Sequence, residues 1–362
     1  MRNVTGEHSL GKAQMATQLT FPRAFAVDYL ELEEDPLGPD QVRVRTLYSG
    51  ISTGTELTQY RGSSPHLSKH WDADTRLFLP GAHEAAFPVT VVGYEEVGEI
   101  VEVGSEVTSV RIGDVVWGTW GHRTSAVMDA DFAAVRRLSP DADPRVGIFS
   151  HIGAVALNAV LDADIHIGET VAVFGLGVPG QLAAQLARLN GGRVVAIDGL
   201  ESRRDLANRL GADTVLDPAE DVAERLRDLT GGRGADVAIE ITGNYRALHT
   251  AIRSVAYNSR VCVAGFFQGD GAGLALGEEF HHNRVQLVSS QISGSSPHLQ
   301  HRWDRYRLNT TVIELASSGR LDALSTISHT VPFSEAATAY EMLDQRPAEA
   351  LQVVLEMPEE AA

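Results

Sequence analysis

Residues 170–180, Thr-Val-Ala-Val-Phe-Gly-Leu-Gly-Val-Pro-Gly, run from a buried apolar stretch into a glycine turn, and Asp198 stands eighteen residues past the last glycine. This pattern can hold the pyrophosphate and ribose of a dinucleotide. Gly175 permits the sharp turn after the strand, Gly177 lets the backbone approach a phosphate, and Gly180 lets the helix pack against the sheet. Val178 and Pro179 complete the turn, and phosphate is expected on the N-terminus of the helix that follows. Asp198 ends the apolar run 194–197, where a carboxylate can accept hydrogen bonds from a ribose diol and repel a 2′-phosphate. NAD is therefore the expected cofactor. Arg203 and Arg204 point the other way, since a basic pair can neutralise a 2′-phosphate, and NADP stays open. A glycine-rich strand-to-helix turn can also be purely structural; the context around this one argues against that.

The positioning elements follow from periodicity. Residues 25–29 and 41–49 alternate apolar and polar types around the turn-rich stretch 33–40, and 89–92, 97–103 and 115–119 continue the pattern with glycines between them. This predicts a small β-rich, barrel-like domain over 1–150, with a long functional loop at 61–86 and a frayed or extended start through residue 20. From residue 151 strands and helices alternate, which predicts a doubly wound parallel sheet over 151–292. Its expected strands lie at 171–174, 194–197, 214–216, 237–241, 260–264 and 285–289. A tail, 293–362, is expected to return to the first domain.

A chain of 362 residues with 43% hydrophobic residues can bury the cores of two domains, and its net charge of −18 argues against nucleic acid or an anionic membrane as partner. The one cysteine, Cys262, excludes a disulfide framework and a cysteine-rich zinc site. No run of about 18 apolar residues and no signal-peptide pattern is read. A cytoplasmic protein acting on a small molecule, as a homodimer or homotetramer, is expected.

Three segments carry a family resemblance. Gly93-Tyr-Glu-Glu-Val-Gly98 is similar to a G-H-E-x-x-G motif, Val110-Arg-Ile-Gly-Asp-Val-Val116 to a V-x-x-G-D-x-V strand, and Ser49-Gly-Ile-Ser-Thr-Gly-Thr-Glu56 to a G-I-C-x-S-D segment. With the β-rich start and the central dinucleotide unit, the chain resembles the medium-chain dehydrogenase/reductase superfamily over nearly its whole length. The resemblance implies an α/β fold, a Rossmann doubly wound sheet plus a β-rich GroES-like catalytic domain. Where zinc members hold the catalytic metal, this sequence has Ser52, Tyr94 and Ser150. Hydroxyls are poor zinc ligands, so no zinc is expected, as in a zinc-lacking branch of the family. His83, Glu84, Glu95 and His122 remain as an unorthodox metal set, against the blander reading of ordinary histidines.

The resemblance also places Thr242, Gly265 and Phe266 beside the nicotinamide, Gln291 and Ser293 on its carboxamide, and Arg203 over the adenosine ribose. Gln352 falls where many members have a basic residue for the pyrophosphate; this change and Pro179 are each expected to weaken cofactor binding. Without a metal, a side chain must take the hydroxyl proton, and Tyr94, His151, Ser52 and Glu95 are the catalytic candidates, Tyr94 with His151 first among them. Tyr94 can equally be a core residue filling the vacated metal cavity.

Residues 63–72 and 295–304 share seven of ten positions, Ser-Ser-Pro-His-Leu and Trp-Asp, although they lie 232 residues apart. His66, Trp71, His298 and Trp303, with Thr55 and Glu56, are the expected substrate contacts, suited to a sugar- or cyclitol-like molecule. Chance reuse of a turn with an Asp-capped helix start is the competing explanation. The leading function is secondary alcohol and ketone interconversion without zinc. Reduction of an activated C=C bond and dinucleotide binding without catalysis are the alternatives.

Overall fold

The computed structural model describes residues 14–64, 69–81 and 87–359. Six parallel strands form the central sheet in the order Thr214–Leu216, Arg193–Ile197, Thr170–Phe174, Ala235–Glu240, Val255–Val263, Gln286–Ser289. The order reverses after Thr170–Phe174, the first strand in sequence, so a crevice opens at its carboxyl end where a ligand can sit. The three innermost strands are almost entirely apolar and buried, as a sheet covered on both faces requires. Helices Val178–Leu189, Glu201–Arg209, Val222–Leu229 and Tyr245–Ser254 connect them.

A second, mixed sheet runs Ile327–Pro332, Gln352–Glu356, Gln41–Ile51, Glu96–Val103, Val115–Gly118, with Ser125–Asp129 also paired to Gln41–Ile51. The late strand Gln352–Glu356 lies antiparallel to Gln41–Ile51, so the tail of the chain closes the β-rich unit. Helix Phe149–Ala163 packs between the two units and against Arg305–Ser317. The stretch Pro144–Ala163 is by length and mean hydropathy able to cross a membrane, although polar residues interrupt it, but it is core: 83% of its 18-residue apolar window is buried.

Two expectations are corrected. Part of the supposedly frayed start is the strand Gln14–Thr20, paired with Asp28–Glu34 and burying Ala16 and Leu19. The stretch 61–86 contains the hairpin Lys69–Asp72 and Leu77–Pro80. Its residues are largely exposed, so no burial pattern marked it.

Candidate active site

The glycine turn has the shape that its spacing predicts. Gly175 is left-handed at φ +95°, and a Cβ there would press on Thr242; a Cβ on Gly180 would run into the carbonyl of Gly175. Gly177 caps the helix and faces open space, with only Pro179 Cδ at 4.0 Å from where its Cβ would be. Bare backbone beside a helix N-terminus, whose first N–H groups have no intrahelical partner, fits a pyrophosphate. Val178 and Pro179 are the first two helical residues, where proline's missing N–H breaks no helical bond.

Asp198 braces this turn. Its Oδ2 accepts the Leu176 N–H at 2.7 Å and its Oδ1 the Leu200 N–H at 2.8 Å. Arg203 Nη1 lies 3.8 Å from the same carboxylate, while Arg204 is held by Asp217 at 2.9 Å and by the Asp198 carbonyl at 2.7 Å. On the far side of the crevice Gly265 packs so tightly on Gly243 that a side chain would not fit, and Phe266, Gln291 and Ser293 are exposed there. Gln291 Oε1 accepts the Ser293 N–H at 2.6 Å. Gln352 is buried, donating to the carbonyls of Ile51 and Val353 at 3.2 and 3.0 Å, so it does not reach toward a pyrophosphate.

Glu240 was not singled out by the sequence reading. It ends a buried strand, takes both the N–H and the hydroxyl of Thr242, and leaves Oε2 without a partner; burial lifts its carboxyl to about 7. The signal was an acid closing the apolar run Val-Ala-Ile at 237–239.

The other half of the site is a cluster of hydroxyls. Ser52 Oγ and Tyr94 Oη share a hydrogen bond, and the Tyr94 ring meets His151 edge-on, with centroids 4.7 Å apart and planes at 75°. Burial, then the nearby Glu95 and Glu56 carboxylates, push the Tyr94 phenol up, against hydrogen bonds from Ser52 and Thr55. Burial, then the Arg305 guanidinium, push His151 down to about 4, and Arg305 Nη2 donates to His151 Nδ1 at 3.1 Å. Tyr94 is therefore protonated and His151 neutral near pH 7. With its Nδ1 engaged as acceptor, the neutral ring carries its proton on Nε2. Ser150 is fully buried, its Oγ without a partner and its carbonyl accepting from Asn309 at 2.7 Å. A serine hydroxyl bonded to the phenol, the phenol itself and a second, buried serine hydroxyl do not fit a catalytic zinc.

Two expected contacts are corrected. Glu56 is buried, with no face toward a substrate: Oε1 accepts the Ser52 N–H at 2.9 Å, and Oε2 is taken by Tyr340 and by His122 at 2.9 Å. Glu95 is also wholly buried; its carboxylate lies over Gly50, and neither oxygen has a partner, so burial, Glu56 and Glu96 hold its pKa well above the ordinary range. Thr55 is exposed beside Tyr94.

The echoed stretches fold differently. Asp72 accepts the N–H groups of Asp74 and Thr75 inside the exposed hairpin, where Trp71 tilts against Phe78 at 5.0 Å, whereas Asp304 caps helix Arg305–Ser317. Trp303 lies under Arg307 at 4.3 Å, and His298 lines a cavity of about 350 Å³ with Gln291 and Asp162. His66, His83 and Glu84 lie outside the described residues.

Family models match both halves: the alcohol dehydrogenase GroES-like domain over residues 38–167 and the zinc-binding dehydrogenase domain over 175–307. A D-guloside 3-dehydrogenase of Escherichia coli K12 is 31% identical, the match covering 92% of this chain and 97% of that protein. A sorbitol dehydrogenase of Halalkalibacterium halodurans is 27% identical over 91% of this chain and 95% of its own length. A zinc-binding dehydrogenase of Sinorhizobium meliloti 1021, solved bound to NADP, superposes with a TM-score of 0.75 at 20% identity, covering 95% of this chain and 99% of that one. The chain belongs to the medium-chain dehydrogenase/reductase superfamily and is an oxidoreductase.

Proposed function

We propose that the chain interconverts a secondary alcohol and a ketone on a small polar, sugar- or polyol-like substrate, using NAD and no zinc. The observation that carries this reading is the hydroxyl pair Ser52–Tyr94 beside a neutral His151, at the positions where zinc members of the family hold their metal. When bound, the nicotinamide supplies the hydride exchange. The protein's part is to handle the oxygen. Tyr94, kept protonated, donates a hydrogen bond to the carbonyl, and His151 Nε2–H adds a second donor, which together stabilise the charge that grows on oxygen during reduction. The phenolic proton then passes to the alkoxide, and in the oxidising direction the same oxygen takes the proton back. Ser52 steadies Tyr94 through their shared hydrogen bond.

The preference for NAD is supported by Asp198 at the strand end and by Arg204, whose guanidinium is occupied by Asp217 and the Asp198 carbonyl. The sugar-like substrate is supported by the D-guloside and sorbitol dehydrogenases among the relatives. One experiment tests both: wild type and Asp198→Ala are assayed with NAD and NADP against alkyl glycosides, polyols and enones. Wild type is expected to oxidise a glycoside or polyol and to prefer NAD by tenfold or more, about 1.4 kcal/mol, and Asp198→Ala to lose that preference. Turnover confined to enones, or a tenfold preference for NADP, would overturn the reading.

A further inference from the structure

Behind the Ser52–Tyr94 pair lies a layer of polar groups sealed from solvent. Ser49, Glu56, Glu95, Glu96 and His122 are all buried, as is Tyr340 from the returning tail. Counting donors fixes the state of the imidazole. Ser49 gives its one hydroxyl hydrogen to Glu96 Oε1 at 3.1 Å, and Glu96 also accepts the N–H groups of Glu95 at 3.0 Å and Trp120 at 2.7 Å. With that hydrogen spent, the Ser49 oxygen can only accept from His122 Nδ1, 2.6 Å away. On the other side, His122 Nε2 meets Glu56 Oε2 at 2.9 Å. That oxygen already receives the Tyr340 hydroxyl, and Oε1 receives the Ser52 N–H, so Glu56 acts wholly as an acceptor. With Ser49 donating to Glu96 and Tyr340 to Glu56, each ring nitrogen faces an acceptor, and this arrangement places a proton on both.

We propose that His122 is a resident imidazolium, clamped between Glu56 and the Ser49–Glu96 pair, and that it positions Tyr94 and the Ser52 that supports it. It reaches both. Through Glu56 it fixes the backbone N–H of Ser52. Through direct contact it supports Gly93, the residue before Tyr94, which sits at φ +92° with its bare Cα over the imidazole: a Cβ there would meet Nδ1 and Cε1 at 2.6 Å. The ring is itself anchored, since the His122 N–H donates to Val92 and its carbonyl accepts from Leu19. The buried cation stands in the catalytic unit where it offsets the carboxylates gathered behind Tyr94.

The charged and titratable neighbours agree with this state. Glu56 faces the ring from helix Glu56–Tyr60 and Glu96 from strand Glu96–Val103; Tyr340 of helix Ala336–Gln345 reaches Glu56, and Glu95 and Arg123 are the further charged neighbours of these carboxyls. Burial alone would lower the His122 pKa, but the Glu56 and Glu96 carboxylates outweigh it and the net direction is up.

The charge state stands on the hydrogen-bond geometry, while the positioning role rests on the proposed function, with Tyr94 as the reacting hydroxyl and Ser52 as its support, so the test has two readouts. The first is ring 15N NMR of wild-type protein labelled at histidine, with the His122 signals identified by their movement in Ser49→Ala and Tyr340→Phe. Two protonated nitrogens are expected at pH 7.5, above the ordinary histidine value of about 6.5. A ring with one bare nitrogen at pH 7.5 would overturn the imidazolium. The second readout is turnover of Glu56→Gln, which keeps the size of the side chain and removes its charge. It is expected to lower kcat at least tenfold while the Kd for NAD stays put; unchanged kcat in a folded variant would overturn the positioning role. If wild type turns over no alcohol at all, the proposed function and the positioning role fail together, and the NMR result still decides the charge state.

Discussion

Tyr94→Phe is expected to lower turnover by about 10²- to 10⁴-fold in both directions, the usual weight of a positioned acid/base group, with the Kd for NAD unchanged. The substitution keeps the ring that meets His151 and removes only the hydroxyl that Ser52 holds. The effect should therefore fall on chemistry and not on folding. Steady-state kinetics of alcohol oxidation and ketone reduction, with a separate dinucleotide titration, measure it. Turnover within threefold of wild type would make Tyr94 a residue that fills space and nothing more.

His122→Ala is expected to have the largest effect on stability, about 3–5 kcal/mol, the typical result of removing one partner from a buried ion pair. Glu56 would lose its Nε2 donor and Glu96 the cation beside it, both deep in the buried layer. The pH dependence has a definite sign. His122 has a folded pKa raised above its unfolded value, so its contribution is fully present below about pH 6.5 and is lost as pH rises through the folded value. Glu95, a carboxyl raised by burial, acts in the same direction because the folded state again binds the extra proton. Denaturant unfolding at pH 6 and pH 9 should show wild type losing stability on the alkaline side, and His122→Ala should show less of that loss. Equal stability of the two proteins at pH 6 would contradict the buried pair.

The dinucleotide half of the site was legible because its chemistry is local. A glycine turn, the apolar strand before it and an acid after the next strand lie within thirty residues, and Gly175 and Gly180 meet steric demands that only glycine satisfies. Ser52 and Tyr94 were legible through motif spacing, although nothing local said that their hydroxyls would touch. The layer behind them was not. Glu56 and His122 are 66 residues apart and Glu56 and Tyr340 are 284 apart, so only the folded chain brings them together. Tyr340 reads in sequence as one more apolar position of a helix whose inner face is Ala336, Ala339 and Leu343. Glu56, beside a recognised motif, was drawn toward the substrate because sequence cannot say which way a side chain turns. The first strand and the exposed hairpin escaped for another reason: short edge pairings with mixed faces leave little period to read.

In the proposed reaction Tyr94, steadied by Ser52, and the neutral His151 act on the substrate oxygen in place of a metal. Elemental analysis of the purified, active protein together with activity after exhaustive chelation tests it most directly. Well under one zinc per chain and full activity after chelation are expected. One zinc per chain, with activity lost on its removal and restored on its return, would contradict it.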